Sequence, residues 1–383
     1  MRLLHVISST DPESGGPIEA VRRISEVLLS DGHAIQAVSL ESREEAAQRS
    51  LPFSVTGVGG GVGRYRYNPS LTRWLDRHAR EFDVIVLHGL WNYSSLGSWR
   101  ALRNQSTPYF IFAHGMMDPW FRDAYPLKHA LKQAFWRLGE GRVLRDAKAV
   151  LFTCEEEKLR ARGVFQGFNY RERIARLGTH EPDGDPAVQT AAFYAAMPAL
   201  MGRRFMLFIG RIHPKKGCDL LVEAFAGEAA HLPADLDLVV AGPDQTGWVK
   251  ELQKMAQRLD IADRVHWPGM VKGDEKWGAF RSADALVLPS HQENFGFVVA
   301  EAMACGRPVL ISDKVNIWRE VESAKAGLVA PDTVEGTRDL IRRFTALSAG
   351  ERAGIGQNAR NGFLRYFQAE TSARDFLRVI ETQ

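Results

Sequence analysis

Within residues 290–308, SHQENFGFVVAEAMACGRP, two carboxylates stand eight residues apart: Glu293 and Glu301, on either side of Asn294, Phe295 and Gly296. An apolar run at 285–288 reads as a buried strand that ends at Pro289. Phe295-Gly296 falls at the expected start of a helix through Phe297 and Val298. Gly306 sits where a glycine closes a helix, and Pro308 blocks its continuation. A strand feeding a helix N-terminus is an anion site, because the first amides lack intrahelical acceptors and the dipole favours negative charge. Carboxylates there repel a bare phosphate but accept hydrogen bonds from hydroxyls. A phosphate carrying hydroxyl-rich groups satisfies both demands, and a sugar nucleotide has that chemistry. Two glutamates at this spacing also occur on ordinary solvated helix faces. The order strand, loop, aromatic-glycine, helix tips the balance toward a site.

Further residues suit such a ligand. The turn Gly210-Arg211-Ile212-His213-Pro214-Lys215-Lys216-Gly217 follows an expected strand at 205–209 and is strongly basic. Near the start, an apolar run at 3–7 leads into Asp11-Pro12-Glu13-Ser14-Gly15-Gly16-Pro17 and then a helical pattern of Ile18, Val21, Ile24 and Leu28. Gly15 and Gly16 permit close backbone approach to a ligand, although a tight turn without one fits equally well. Expected strands at 83–87 and 109–113 deliver His88 and His114 to their carboxyl ends, where open α/β sheets bind ligands.

These residues need a scaffold, and the pattern supplies one twice. Short buried runs alternate with helical stretches, the signature of doubly wound parallel sheets in an α/β fold. The chain of 383 residues exceeds one ordinary core. The division expected is a first domain at 1–180, a Pro/Gly/Asp-rich linker at 181–200 and a second domain at 201–365. A final helix within 366–383 crosses back to the first. The composition, 45% apolar and 25% charged, is globular, and no apolar run reaches the roughly 18–20 residues that span a bilayer. Cys154, Cys218 and Cys305 lie far apart and suggest neither a disulfide framework nor a zinc site, so a cytoplasmic protein is expected. Net charge is +3, with about +6 in residues 1–180 and about −3 beyond. That small charge, without an aromatic-basic platform, gives no support for nucleic-acid binding. The stretch 127–143 carries Lys128, Lys132, Arg137 and Arg142 among apolar residues. It fits either a helix on the anionic inner face of a membrane or a domain helix with an apolar core stripe.

Taken together, the chain resembles the family 4 retaining glycosyltransferases of GT-B fold. The likeness rests on Gly210-Arg211 with Lys216-Gly217 and on Glu293-x7-Glu301 with Phe295-Gly296, in the family's order and spacing; in the first half it rests on Gly15-Gly16 and His114. In the crossover region the family usually has Asn-Gly, whereas this chain has Leu177-Gly178-Thr179-His180. The resemblance implies two Rossmann-like domains facing a central cleft. It implies that Arg211 and Lys216 neutralise the donor diphosphate, the backbone around Gly296, Phe297 and Val298 holds phosphates, and Glu301 accepts from ribose hydroxyls. Glu293 would hold the transferred sugar, His114 would reach the reaction centre, and Met270 and Val271 would lie by the base. Trp91, Asn92 and Asp118 are expected on the acceptor side, where aromatic faces pack on sugar rings. No metal and no other cofactor is expected, because Asp183/Asp185 and Asp235/Asp237 read as structural and the cations can carry the charge. The expected partners are a UDP- or GDP-linked sugar and a saccharide or lipid-linked saccharide acceptor. Competing readings are a phosphorylase, a sugar-nucleotide epimerase, or a non-catalytic sugar-nucleotide-binding scaffold.

Overall fold

The computed structural model describes residues 1–12 and 15–382, so Glu13 and Ser14 of the glycine-rich turn lie outside the described residues. The chain forms two α/β units, Met1–Gly178 with Ala369–Gln383, and Thr179–Gln368. In the first unit the strands are β1 (Arg2–Ile7), β2 (Ala34–Ser39), β3 (Ser54–Gly57), β4 (Val84–His88), β5 (Tyr109–Phe112), β6 (Val150–Phe152) and β7 (Glu172–Ile174). In the second they are β8 (Arg204–Ile209), β9 (Leu236–Ala241), β10 (Val265–Gly269), β11 (Ala285–Leu288), β12 (Val309–Ser312) and β13 (Gly327–Ala330). The apolar runs dictate these positions. β4, β5, β9, β11 and β12 are buried along their whole length, as strands covered by helices on both faces must be.

Pairing is parallel in both sheets, in the orders β3-β2-β1-β4-β5-β6-β7 and β10-β9-β8-β11-β12-β13. Each order reverses once, between β1 and β4 and between β8 and β11. At such a switch point the connections leave in opposite directions and open a crevice at the carboxyl ends of the strands.

The expected linker at 181–200 is corrected. Residues Pro186–Ala196 form a helix capped by Asp185, and Pro198–Leu200 form a short 3₁₀ turn. The helix belongs to the second unit and packs along Gly273–Ser282, where Phe193 is fully buried and Gln189 receives Arg281 Nε at 2.7 Å. Gly278 makes this approach possible: a Cβ there would lie 2.0 Å from the Gln189 carbonyl oxygen. The C-terminal helix Ala369–Glu381 belongs to the first unit, and its Phe376 is fully buried and stacks on Phe112 with ring centroids 6.2 Å apart. The preceding helix, Ala349–Tyr366, stays in the second unit.

Candidate functional site

In the second unit, the loops after β8 and β11 meet at the switch point. The basic turn after β8 closes as a 3₁₀ turn, Pro214–Lys216, with Lys216 N donating to His213 O at 2.7 Å. Gly217 then takes φ +68 and starts the helix Cys218–Glu228. A Cβ there would stand 2.3 Å from the Pro289 carbonyl oxygen, so only glycine lets the two loops come this close. His291 N donates to Lys215 O at 3.0 Å and ties them together. Glu293 is fixed by its own backbone, which donates to Lys314 O and accepts from Asn316 N, each at 3.0 Å. Its side chain accepts a hydrogen bond from Lys216 Nζ.

Gly296 caps the helix Phe297–Ala304, which follows directly. Phe295 is buried against Phe297 and Phe367, at 4.9 and 5.7 Å between centroids, and anchors the helix start. Asn294, Phe297 and Val298 are partly buried around it. The first-turn amides of this helix point back toward the Glu293 loop, adding their partial positive charge to that of Lys216. Arg211 is exposed at the end of β8. Desolvation, and after it the positive neighbours Arg211, Lys215 and Lys216, hold His213 below the usual histidine range.

Glu301 lies deeper. It is buried at 1% exposure and pairs with Lys276 Nζ at 2.8 Å, from the helix Gly273–Ser282. Sequence reading missed Lys276, since nothing in the chain marks two residues on separate helices as partners. Met270 and Val271 follow β10, the former half exposed and the latter buried.

In the first unit, Gly15 takes φ +92 ahead of the helix Gly16–Ser30, whose first turn holds Pro17. At the β1/β4 switch point stands a row of imidazoles. His5 Nδ1 lies 2.8 Å from His88 Nε2, and His88 Nδ1 lies 3.0 Å from His114 Nε2. Ser25 Oγ ends the row, 3.5 Å from His5 Nε2. His114 itself takes the left-handed φ of 50°. Burial pushes His5 and His114 down to about 3, and burial with two like neighbours pushes His88 well below the ordinary value. All three are therefore neutral at pH 7, and each neutral ring donates through one nitrogen and accepts through the other. The row then has only two polarities. In one, His114 Nδ1 carries a proton; in the other it is an acceptor. Sequence reading found His88 and His114 but missed His5, which is three residues inside β1 and carries no local signal.

The residues expected on the acceptor side have structural partners. Trp91, at φ +67, donates from its backbone to Glu140 Oε1 at 3.2 Å and from Nε1 to Met116 O at 3.2 Å. Asn92 caps the helix Tyr93–Leu102, accepting from Ser94 N at 2.9 Å. Asp118 is buried, accepts from Trp120 N at 2.8 Å and receives the Arg160 guanidinium at 3.1 and 3.2 Å. Sequence reading missed Glu140, fully buried and pushed up to about 7 by desolvation. The stretch 127–143 is helical, with a π-helical turn at Trp136–Glu140. Its core stripe is narrower than the apolar pattern suggests. Trp136 and Val143 are buried, but Leu127, Leu131 and Leu138 are 83%, 73% and 76% exposed.

The histidine row sets a pH dependence. A histidine lowered on folding binds its proton only in the unfolded chain between its two pKa values, so stability is intact above about 6.5 and is lost as pH falls. Each such group contributes up to about 1.4 kcal/mol per pH unit. Glu140, raised on folding, has the opposite sign in the same window, so three histidines are opposed by one carboxyl. Urea unfolding at pH 6.5 and pH 5 is expected to show lower stability at pH 5, with a shallower loss in His5→Gln. A flat profile, or a loss unchanged in His5→Gln, contradicts neutral packing of the row.

Comparison with known proteins adds the family. Residues 196–362 match the family described as glycosyl transferases group 1, and residues 15–178 match the glycosyl transferase 4-like domain. A D-inositol 3-phosphate glycosyltransferase of Geodermatophilus obscurus is 36% identical over 351 residues, covering 86% of this chain and 73% of that protein. The enzyme of that name from Streptomyces avermitilis is 28% identical over 309 residues, covering 79% of this chain and 64% of its own length, so this chain spans less than two thirds of that relative. Among solved structures, Anabaena HepE in complex with UDP and glucose superposes with a TM-score of 0.76 at 17% identity, covering 100% of both chains. The chain belongs to the group 1 glycosyltransferases and has their two-domain, Rossmann-like GT-B fold.

Proposed function

We propose that this glycosyltransferase moves a sugar from a UDP- or GDP-linked donor to a hydroxyl of a saccharide or lipid-linked saccharide, with retention at the anomeric carbon and without a metal ion. The observation that carries the reading is the Lys216–Glu293 pair beside Arg211, at a switch point and at the start of the helix Phe297–Ala304. A diphosphate entering there takes Lys216 from Glu293 and gains the Arg211 fork and the helix amides. Glu293 is then left to accept hydrogen bonds from hydroxyls of the transferred sugar. Glu301, with its charge balanced by Lys276, suits the ribose hydroxyls without adding net repulsion toward phosphate. That HepE was crystallised with UDP and glucose supports a uridine donor for a protein of this fold.

In the reaction proposed, the bond from the anomeric carbon to the β-phosphate oxygen breaks and a bond to the acceptor oxygen forms on the same face. The acceptor proton passes to the departing phosphate. Arg211, Lys216 and the helix N-terminus meet charge as it develops on the leaving diphosphate, where preorganised donors contribute most. His114 supports the reaction centre, with its proton placement set by His88 and His5.

With a UDP- or GDP-sugar and a saccharide acceptor, proton NMR of the product is expected to show the donor's own anomeric configuration, undiminished by EDTA. Lys216→Ala is expected to cut turnover at least about 100-fold, in the range seen when a transition-state donor is removed, and Glu293→Gln to lower it as well by taking the charged acceptor from the sugar hydroxyls. An inverted anomer, or activity abolished by EDTA, overturns the mechanism.

The exposed Leu127, Leu131 and Leu138 lie among exposed Lys128, Arg137 and Arg142. No helix among the described residues is long and apolar enough to cross a membrane. We assign this face to peripheral contact with an anionic bilayer, the combination that amphipathic interfacial helices use. Flotation with vesicles of anionic phospholipid is expected to carry the protein at low salt and to fail with Leu127→Ser/Leu131→Ser. Equal recovery with neutral vesicles, or no effect of the substitutions, removes the membrane from the account.

A further inference from the structure

A polar cavity of about 650 Å³ opens in the Thr179–Gln368 unit, at the end of its sheet opposite the Lys216 loop. Asp284 immediately precedes β11 and Arg307 stands just before β12, so the cavity borders the amino ends of these strands, whereas Lys216 and Glu293 lie beyond carboxyl ends. Four guanidinium groups line it: Arg281, Arg307, Arg352 and Arg360. Only two carboxylates join them, and both are engaged. Asp284 receives Arg204 at 2.7 Å, and Glu181 receives Arg360 Nη2 at 2.5 Å. Arg281, Arg307 and Arg352 have no carboxylate partner among the described residues.

Part of this arrangement serves the fold. Arg360 Nη1 donates to Ala304 O at 2.9 Å and Arg307 Nε donates to Cys305 O at 3.3 Å, closing the carboxyl end of the helix Phe297–Ala304. Arg281 donates to Gln189 and Arg352 to Leu347 O at 2.7 Å. A guanidinium has five N–H donors, and one or two per side chain are used here. Capping one helix end does not require four arginines converging on a cavity. All four are partly buried, and desolvation holds Arg307 below its ordinary range despite the attraction of Cys305 and Asp284, with Arg281 adding a smaller repulsion. Half-buried like charges in one cavity are stabilised by a multivalent anion that accepts from several forks at once.

We propose that this cavity is a second anion site that binds a small phosphorylated compound, separate from the diphosphate site at Lys216. The guanidinium forks match phosphate oxygens, and the volume admits a pyrophosphate or the phosphate end of a sugar or nucleotide phosphate.

The test is calorimetric titration of the full chain with inorganic pyrophosphate at constant ionic strength, repeated with a hexose phosphate. Wild type is expected to show a binding event that survives in Lys216→Ala and weakens about tenfold in Arg352→Gln. Gln357→Glu, which adds a negative charge at the exposed rim while removing no carboxylate or arginine contact, is expected to weaken the same event. Stronger binding of hexose phosphate identifies a phosphate ester as the occupant, and stronger binding of pyrophosphate identifies an inorganic polyphosphate. Loss of all binding in Lys216→Ala overturns the proposal. So does unchanged binding in Gln357→Glu and in an Arg352→Gln variant that melts like wild type. Neither outcome bears on sugar transfer at Lys216, which is measured separately.

Discussion

The contact between the loops after β8 and β11 is the constraint on which the rest of the candidate site depends. Two parallel strands that send their connections to opposite faces leave a gap, and this protein bridges it with one backbone hydrogen bond, His291 N to Lys215 O. Gly217 allows that bridge by having no Cβ against Pro289 O. Once it is made, Lys216 and Glu293 meet although they are separated by 77 positions in the chain. The helix that begins after Gly296 then aims its amides at the same place. Remove the close approach and the cation, the carboxylate and the helix dipole no longer share one site.

The first unit repeats the topology with different chemistry. At its switch point the side chains are three imidazoles, and burial keeps them neutral rather than charged. One unit thus presents fixed positive charge and the other a polarisable chain of neutral donors and acceptors. In the second unit, the opposite end of the sheet is also charged. Arg281, Arg307, Arg352 and Arg360 line the 650 Å³ cavity there, beside the carboxyl end of the helix Phe297–Ala304.

Much of this was legible in the chain. The central strands β4, β5, β9, β11 and β12 stand out in the chain, because strands buried on both faces leave continuous hydrophobic stretches, whereas the edge strands β3, β7 and β10 are partly exposed and mixed in composition. The basic turn at 210–217 and the Glu293/Glu301 spacing were legible because each lies within one loop-helix unit. What was not legible depends on long-range packing. The helix Pro186–Ala196 buries only Gln189 and Phe193, too few residues to print a period, so its Pro/Gly/Asp-rich lead-in read as a linker. Lys276 with Glu301, and His5 with His88, are pairs made by strand order and helix placement, which local sequence does not encode. Leu127, Leu131 and Leu138 give the reverse lesson: an apolar stripe marks a face but does not say whether a core covers it.

We propose that Lys216, Glu293 and the helix starting at Phe297 hold a nucleoside diphosphate. The most direct measurement is the shift in melting temperature with UDP, GDP and ADP, each with and without EDTA, in wild type and Lys216→Ala. A nucleotide at about 100 times its dissociation constant stabilises the folded state by roughly 2.7 kcal/mol. The account predicts a clear shift with UDP or GDP, equal with and without EDTA, and absent in Lys216→Ala. No shift with any nucleotide, or a shift that Lys216→Ala leaves intact, contradicts it.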